Sequence, residues 1–155
     1  MENLISPDEV VELGFAPLDH ITGENVSRIT IGVAQERFIE PVFGGEMIEA
    51  FVRGDYADLL EGYVAPALAL YVKMLMLPMM ALRVSAGGVV RGGVEGLDCA
   101  TDMEVQQTQR KISSQAQQLI RQAVRIIEQS PETYPEYSAG RNILNRCRIE
   151  GGVIL

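Results

Sequence analysis

Apolar positions recur along this chain mainly at helical spacing. Ser6-Pro7-Asp8-Glu9 carries an N-cap, a proline at the first helical position and a glutamate placed to close a capping box. These predict a short helix that Gly14 stops, with Val10, Val11 and Leu13 facing inward. Beyond a loop through Pro17, Asp19 and Gly23, a second helix is predicted over residues 24–40. Its stripe is Val26, Ile29, Val33 and Arg37, with Ile31, Ala34 and Phe38 beside it. Glu40-Pro41 disfavours helical geometry at residue 40 and ends or kinks the helix there. Gly44-Gly45 introduces an amphipathic stretch from Glu46 to Arg53, closed by Gly54, and Asp55 is placed to cap a turn from Tyr56 to Leu60.

From Val64 to Leu82 the pattern is apolar on every face except at Lys73. The run approaches the length of a bilayer span, but a cation near its centre costs about 2.5–3.5 kcal/mol in a membrane. Pro66 and Pro78 interrupt it and its N-terminal flank is acidic. A buried central helix is the expectation, starting with Pro66 near its first position and kinked at Pro78, whose ring opposes the carbonyl of Met74. Met74, Met76, Met79 and Met80 read as core, or alternatively as an adaptable apolar groove.

Residues 83–97, RVSAGGVVRGGVEGL, predict a small β-hairpin or an extended Gly-rich element. A second capping box, Thr101 to Glu104, opens the longest helix, predicted over residues 102–129. Its seam is Ile112, Ala116, Leu119, Ala123 and Ile126; its other face is glutamine-rich and carries Arg110, Lys111, Arg121 and Arg125. Ser130-Pro131 ends it. The fold class is therefore all-α: a helical bundle with a long C-terminal helix, as one domain over residues 1–155 with a possible extended tail from 141 to 155. Scarce aromatics (6%) and an apolar share of 47% suit helix-on-helix packing.

The net charge of −8 argues against a general nucleic-acid binder and predicts no sequence-specific nucleic acid partner. The charge is polarised: residues 1–61 hold thirteen acids and three bases, residues 62–155 eight acids and ten bases. Such a chain can associate head to tail, or simply expose a solvated acidic surface. Cys99 and Cys147 lie far apart, and the start Met1 to Pro7 lacks a secretory pattern, so reduced thiols in the cytoplasm are expected. His20 is the single histidine, in a loop, with no nucleophile nearby in sequence. Gly87 to Gly93 lacks the Lys and Ser or Thr of a phosphate loop, and the glutamate pairs 36/40 and 46/49 fall on a broadly acidic surface. No catalytic residue, metal site, cofactor or small-molecule substrate is expected, and the work of the chain is expected at its surfaces. The candidate assembly interface is the tail: Arg141, Arg146, Arg148, Ile149, Val153, Ile154 and Leu155, apolar residues that need a cover.

The order of these segments (ISPDEVVELGF, ENVSRITIGVAQERFIEPVFG, GDYADLLEGYVAPALALYVKM, the glycine-rich stretch, a long polar helix and YPEY) resembles the head–tail connector (adaptor) proteins of tailed bacteriophages and prophages. The resemblance implies a mostly helical subunit of a homo-oligomeric ring at the phage neck. It implies portal or tail proteins as partners, no catalytic residues, and a place in the host cytoplasm during assembly and then in the virion neck. The alternative is a cytoplasmic helical binding or regulatory module that uses the Met-rich apolar groove. On either reading no membrane is a partner, and the tail packs either on its own domain or on a neighbour.

Overall fold

The structure is a computed structural model, and it describes residues 2–80, 82–85, 88–91 and 100–146. The bundle is all-α. Helix α1 spans Pro7–Gly14, and its capping box is complete: Ser6 Oγ accepts from Glu9 N, and Glu9 Oε2 accepts from Ser6 N. Two 3-10 turns, Pro17–Asp19 and Gly23–Asn25, lead to α2 (Arg28–Ala34), a π turn (Gln35–Ile39), α3 (Glu40–Phe43) and α4 (Gly45–Val52). A single turn α5 (Ala57–Leu59), a second π turn (Leu60–Val64) and α6 (Ala65–Met80) follow as one continuous stretch. Strands β1 (Leu82–Ser85) and β2 (Gly88–Arg91) pair antiparallel, Leu82 opposite Arg91. Residues 86–87 and 92–97 of the glycine-rich segment, and both cysteines, lie outside the described residues. Helix α7 (Asp102–Gln129) opens on the Thr101–Glu104 capping box, and a short α8 (Ile143–Arg146) ends the described chain.

The core is built around α6. Ala67, Leu68, Ala69 and Val72 are fully buried, with α1, α2 and α7 each packed against α6. Gly14 lets α1 approach α6 closely, since a Cβ there would lie 3.1 Å from the carbonyl oxygen of Ala69. Ala57–Met80 is long and apolar enough to cross a membrane by length and composition. Within the fold its lysine has local partners: Lys73 Nζ lies 3.9 Å from Asp19 Oδ2 and 5.0 Å from the Phe15 ring centroid.

Several local expectations are corrected. The second helix begins after Ser27, whose hydroxyl caps Ile29 N, not at residue 24. Of the two outcomes expected at Glu40-Pro41, an end or a kink, the end does not occur: the helical run continues to Phe43. The π turn before Pro41 widens the backbone, with Glu40 N bonded to Gln35 O, and shifts the carbonyl on which the proline ring would clash. Pro66 repeats the device: it follows a π turn by the same two residues, with Ala65 N bonded to Leu60 O, so it lies inside a continuous helix and not at a helix start.

The buried face of α2 also differs from the expected stripe, because Val26 lies ahead of the Ser27 cap and does not belong to the helix that follows. Ile31, Ala34 and Ile39 enter the core, while Ile29 (78% exposed) and Val33 (47%) point to solvent. Leu13 is exposed too, because Val10 and Gly14 take the contact face of α1. Asp55 does not cap the turn after it; it pairs with Arg53 at 3.1 Å, and Tyr56 enters the turn in left-handed geometry (φ 58°). On α7 the buried seam is Ile112, Ala116, Ile120, Ala123, Val124 and Ile127, with Leu119 and Ile126 half-buried beside it.

Candidate assembly surface

The long helix α7 carries its bases on the side left free by α6, and an open groove runs along it. Near its N-terminal half, Arg37, Phe38, Met74 and Leu75 face Gln109 and Arg110 across a hollow of about 400 Å³. Phe38 stacks on Tyr71, centroids 4.3 Å apart and planes 6° from parallel, and the Arg37 guanidinium lies 5.2 Å from the Phe38 centroid. Phe38 and Tyr71 also border a smaller hollow that reaches Ile143 and Leu144. Those two residues then border the largest hollow, about 840 Å³, against Arg121, Val124, Arg125 and Glu128. Shared lining residues thus join the three hollows into one groove with an apolar floor and arginines along its rim. Burial pushes the Tyr71 hydroxyl pKa up, and the nearby charge of Arg121 pulls the other way.

Gln109 also has a structural task. Pro78 has no N–H to give the Met74 carbonyl four residues back, and Gln109 Nε2 donates to that oxygen at 2.9 Å. The end of α6 is consequently pinned to α7 while Met79 (72% exposed), Met80 (45%) and Leu82 (43%) remain at the surface.

The loop after α7 is fastened at two places. Tyr56 Oη donates to Glu136 Oε2 at 2.7 Å, with Arg53 3.8 Å from Glu136 and the Tyr134 ring 4.8 Å from that of Tyr56. The Glu136 carboxylate, through that bond first, raises the Tyr56 pKa to about 12, and the same hydrogen bond lowers that of Glu136. Further on, Asn142 is completely buried: its Nδ2 donates to Tyr137 Oη at 2.7 Å and its Oδ1 accepts from Leu144 N at 2.9 Å. Asn145 donates to Glu128 Oε1 and to the Ala139 carbonyl.

In the described part of the expected tail, residues 141–146, the chain is not extended: Asn142 caps a helical turn and seals it to the loop. Arg141 lies 3.7 Å from Glu46 of α4, and Arg146 Nε donates to the Gly140 carbonyl. Arg148, Ile149, Val153, Ile154 and Leu155 lie outside the described residues. The tail residues that do join a surface groove are Ile143, Leu144 and Asn145, against Arg121 and Arg125 of α7. The sequence marks all five side chains as apolar, polar or basic without bringing them together, since the turn at Asn142 depends on a tertiary hydrogen bond.

The other charged pole is α1, where Asp8, Glu9 and Glu12 are exposed with Leu13 (40%), and Leu18 (85%) is exposed on the 3-10 turn that follows. Helices α1 and α7 both pack on α6 and make no substantial contact with each other, so acid and base occupy separate flanks of one helix. Among the described residues, no three His, Cys, Asp or Glu side chains converge as a metal site would require.

Residues 34–145, well over half of the chain, match a protein-family model described as a family of unknown function (DUF6712). No curated protein and no solved structure matches the chain.

Proposed function

We propose that this chain, which belongs to the DUF6712 family, is a structural subunit of a phage or prophage head–tail connector ring, acting through protein–protein surfaces and not through chemistry. The observation that carries this reading is the division of charge across α6. Acidic α1 lies on one flank, and the arginine-rimmed groove of α7, with half-exposed Ile143 and Leu144, lies on another. A subunit with unlike surfaces on separate flanks makes heterologous contacts, and these close into a ring when the rotation allows it. The resemblance of the segment order to connector proteins supports the same reading. On this reading the chain works in the host cytoplasm during assembly and in the virion neck afterwards, with portal or tail proteins as its neighbours.

The test is capture. The chain is co-expressed with the portal protein encoded by the same phage or prophage and the complex is imaged. Stable rings bearing both proteins are expected. A chain that neither binds the portal nor enters particles overturns the reading.

A second reading has its own observation. Met79, Met80 and Leu82 leave an adaptable apolar patch at the end of α6, as a helical binding or regulatory module would. If Met79→Ser with Met80→Ser abolishes partner capture while charge changes on α7 do not, this reading replaces the first.

A further inference from the structure

The groove on α7 carries a positive excess where it is open, two arginines against the one carboxylate of Glu128. Arg121 and Arg125 are exposed on its rim, and neither is in an ion pair among the described residues, while Val124, Ile143 and Leu144 give it an apolar lining. The face formed by α1 and the following 3-10 turn has the complementary character. Glu12 projects without an ion-pair partner among the described residues, Glu9 adds a second negative charge, Leu13 is exposed next to Glu12, and Leu18 stands in solvent on the following 3-10 turn. Each face thus combines exposed apolar area with an excess of one charge, two arginines against Glu128 in the groove and Asp8, Glu9 and Glu12 against Arg28 at α1, and the excesses are opposite in sign.

We infer that the arginine-rimmed groove of α7 receives the acidic, leucine-bearing α1 face of a second copy of this chain. This rests on the assembly reading and adds to it the two surfaces that meet. Leu13 and Leu18 would be buried against Ile143, Leu144 and Val124, removing apolar area from water. Glu12 and Glu9 would come to Arg121 and Arg125 at the rim. Charge pairs of this kind steer and orient the encounter, and the apolar contact supplies most of the affinity. Because the two faces are different and lie on separate flanks of α6, each copy keeps a free groove and a free α1 after the first contact. The interface therefore propagates from copy to copy.

Sedimentation of the full chain from micromolar to millimolar concentration tests this. The expected result is a mass that rises with concentration at low salt and falls back as salt screens the rim charges. Arg121→Glu with Arg125→Glu should weaken association about tenfold or more, and Glu12→Arg alone should weaken it in the same direction. Mixing the two reversed proteins should restore it. All three positions are exposed, and helical content measured by circular dichroism checks that each variant is folded.

A chain that stays monomeric to millimolar concentration overturns the inference, as does association that ignores the reversals. Association that appears only after residues 147–155 are deleted also overturns it, because the groove is then filled by the chain's own C-terminal segment. If the reversals abolish self-association but the portal is still captured, the interface stands alongside the connector reading. If self-association survives reversal and capture also fails, both fall.

Discussion

Gln35 has no exposed surface and no charge to explain its burial, yet both ends of its amide are used. Its Oε1 accepts from Leu4 N at 2.8 Å and its Nε2 donates to Glu2 O at 3.1 Å, so one side chain fixes the start of the chain against the π turn. Replacing it with Leu keeps the volume but orphans both backbone groups. Gln35→Leu should lower stability by about 1–3 kcal/mol in urea unfolding and speed hydrogen exchange at Leu4. The Tyr56–Glu136 pair makes a different prediction, one of pH. Glu136 has a lowered pKa in the fold, so its contribution is present above the ordinary carboxylate value and is lost as pH falls through the folded one. Tyr56 is raised to about 12, so its contribution is full below the ordinary phenol value of 10 and fades as pH rises towards 12. The melting temperatures of wild type and Tyr56→Phe should converge in acid and differ at neutral pH; a gap constant through the acid range would show that the bond contributes nothing. None of these partnerships is legible in sequence, because Gln35 and Glu2 or Tyr56 and Glu136 meet only when the chain is folded.

Elements are legible wherever their signals are local. Ser6 with Glu9 and Thr101 with Glu104 mark two helix starts, and Ser130-Pro131 marks the end of α7, because caps and prolines act on backbone atoms within one turn. The π turns are not legible. Each adds a residue to the helical repeat, so a stripe continued at constant spacing beyond residue 34 loses its phase. The stripe through Val26, Ile29 and Val33 fails earlier, because Val26 precedes the Ser27 cap and Ile31 and Ala34 hold the core face of α2. The consequence of Pro78 is half legible: its clash with the Met74 carbonyl follows from the ring, but the rescue by Gln109 comes from a different helix, 35 residues beyond Met74. That rescue makes Pro78 and Gln109 coupled. Gln109→Leu should cost about 1 kcal/mol in the wild type. In a Pro78→Ala background it should cost clearly less, since the alanine returns an N–H to the Met74 carbonyl, and a double-mutant cycle on urea midpoints measures the difference. Additive costs would mean that the Gln109 bond does not replace the missing one.

For the molecule as a whole, α6 is the wall shared by α1, α2 and α7. Leu68 is fully buried there, and Leu68→Ala should cost about 2–5 kcal/mol in thermal or urea unfolding. At the same scale, removing residues 147–155 should leave helical content intact, since α8 is already closed by Asn142 and Arg146, and should abolish assembly onto the portal. Loss of the fold itself on that deletion would assign the tail to the core. The arginines of α7 are visible as a basic face in sequence, while their joining to Ile143 and Leu144 in one groove is not, because it depends on the folded-back loop. The central place of α6 also bears on how the chain is made. Synthesis runs from the N-terminus, so α1, α2 and α6 leave the ribosome before α7 exists. Until residue 129 has emerged, α6 is covered on the α1 side and bare where Ala116, Ile120 and Ala123 will lie. A nascent chain of about this length holds out a long apolar helix, composed much like a membrane span, and is most prone to capture by a bilayer or by other unfinished chains. The vulnerable interval closes when the last turns of α7 arrive.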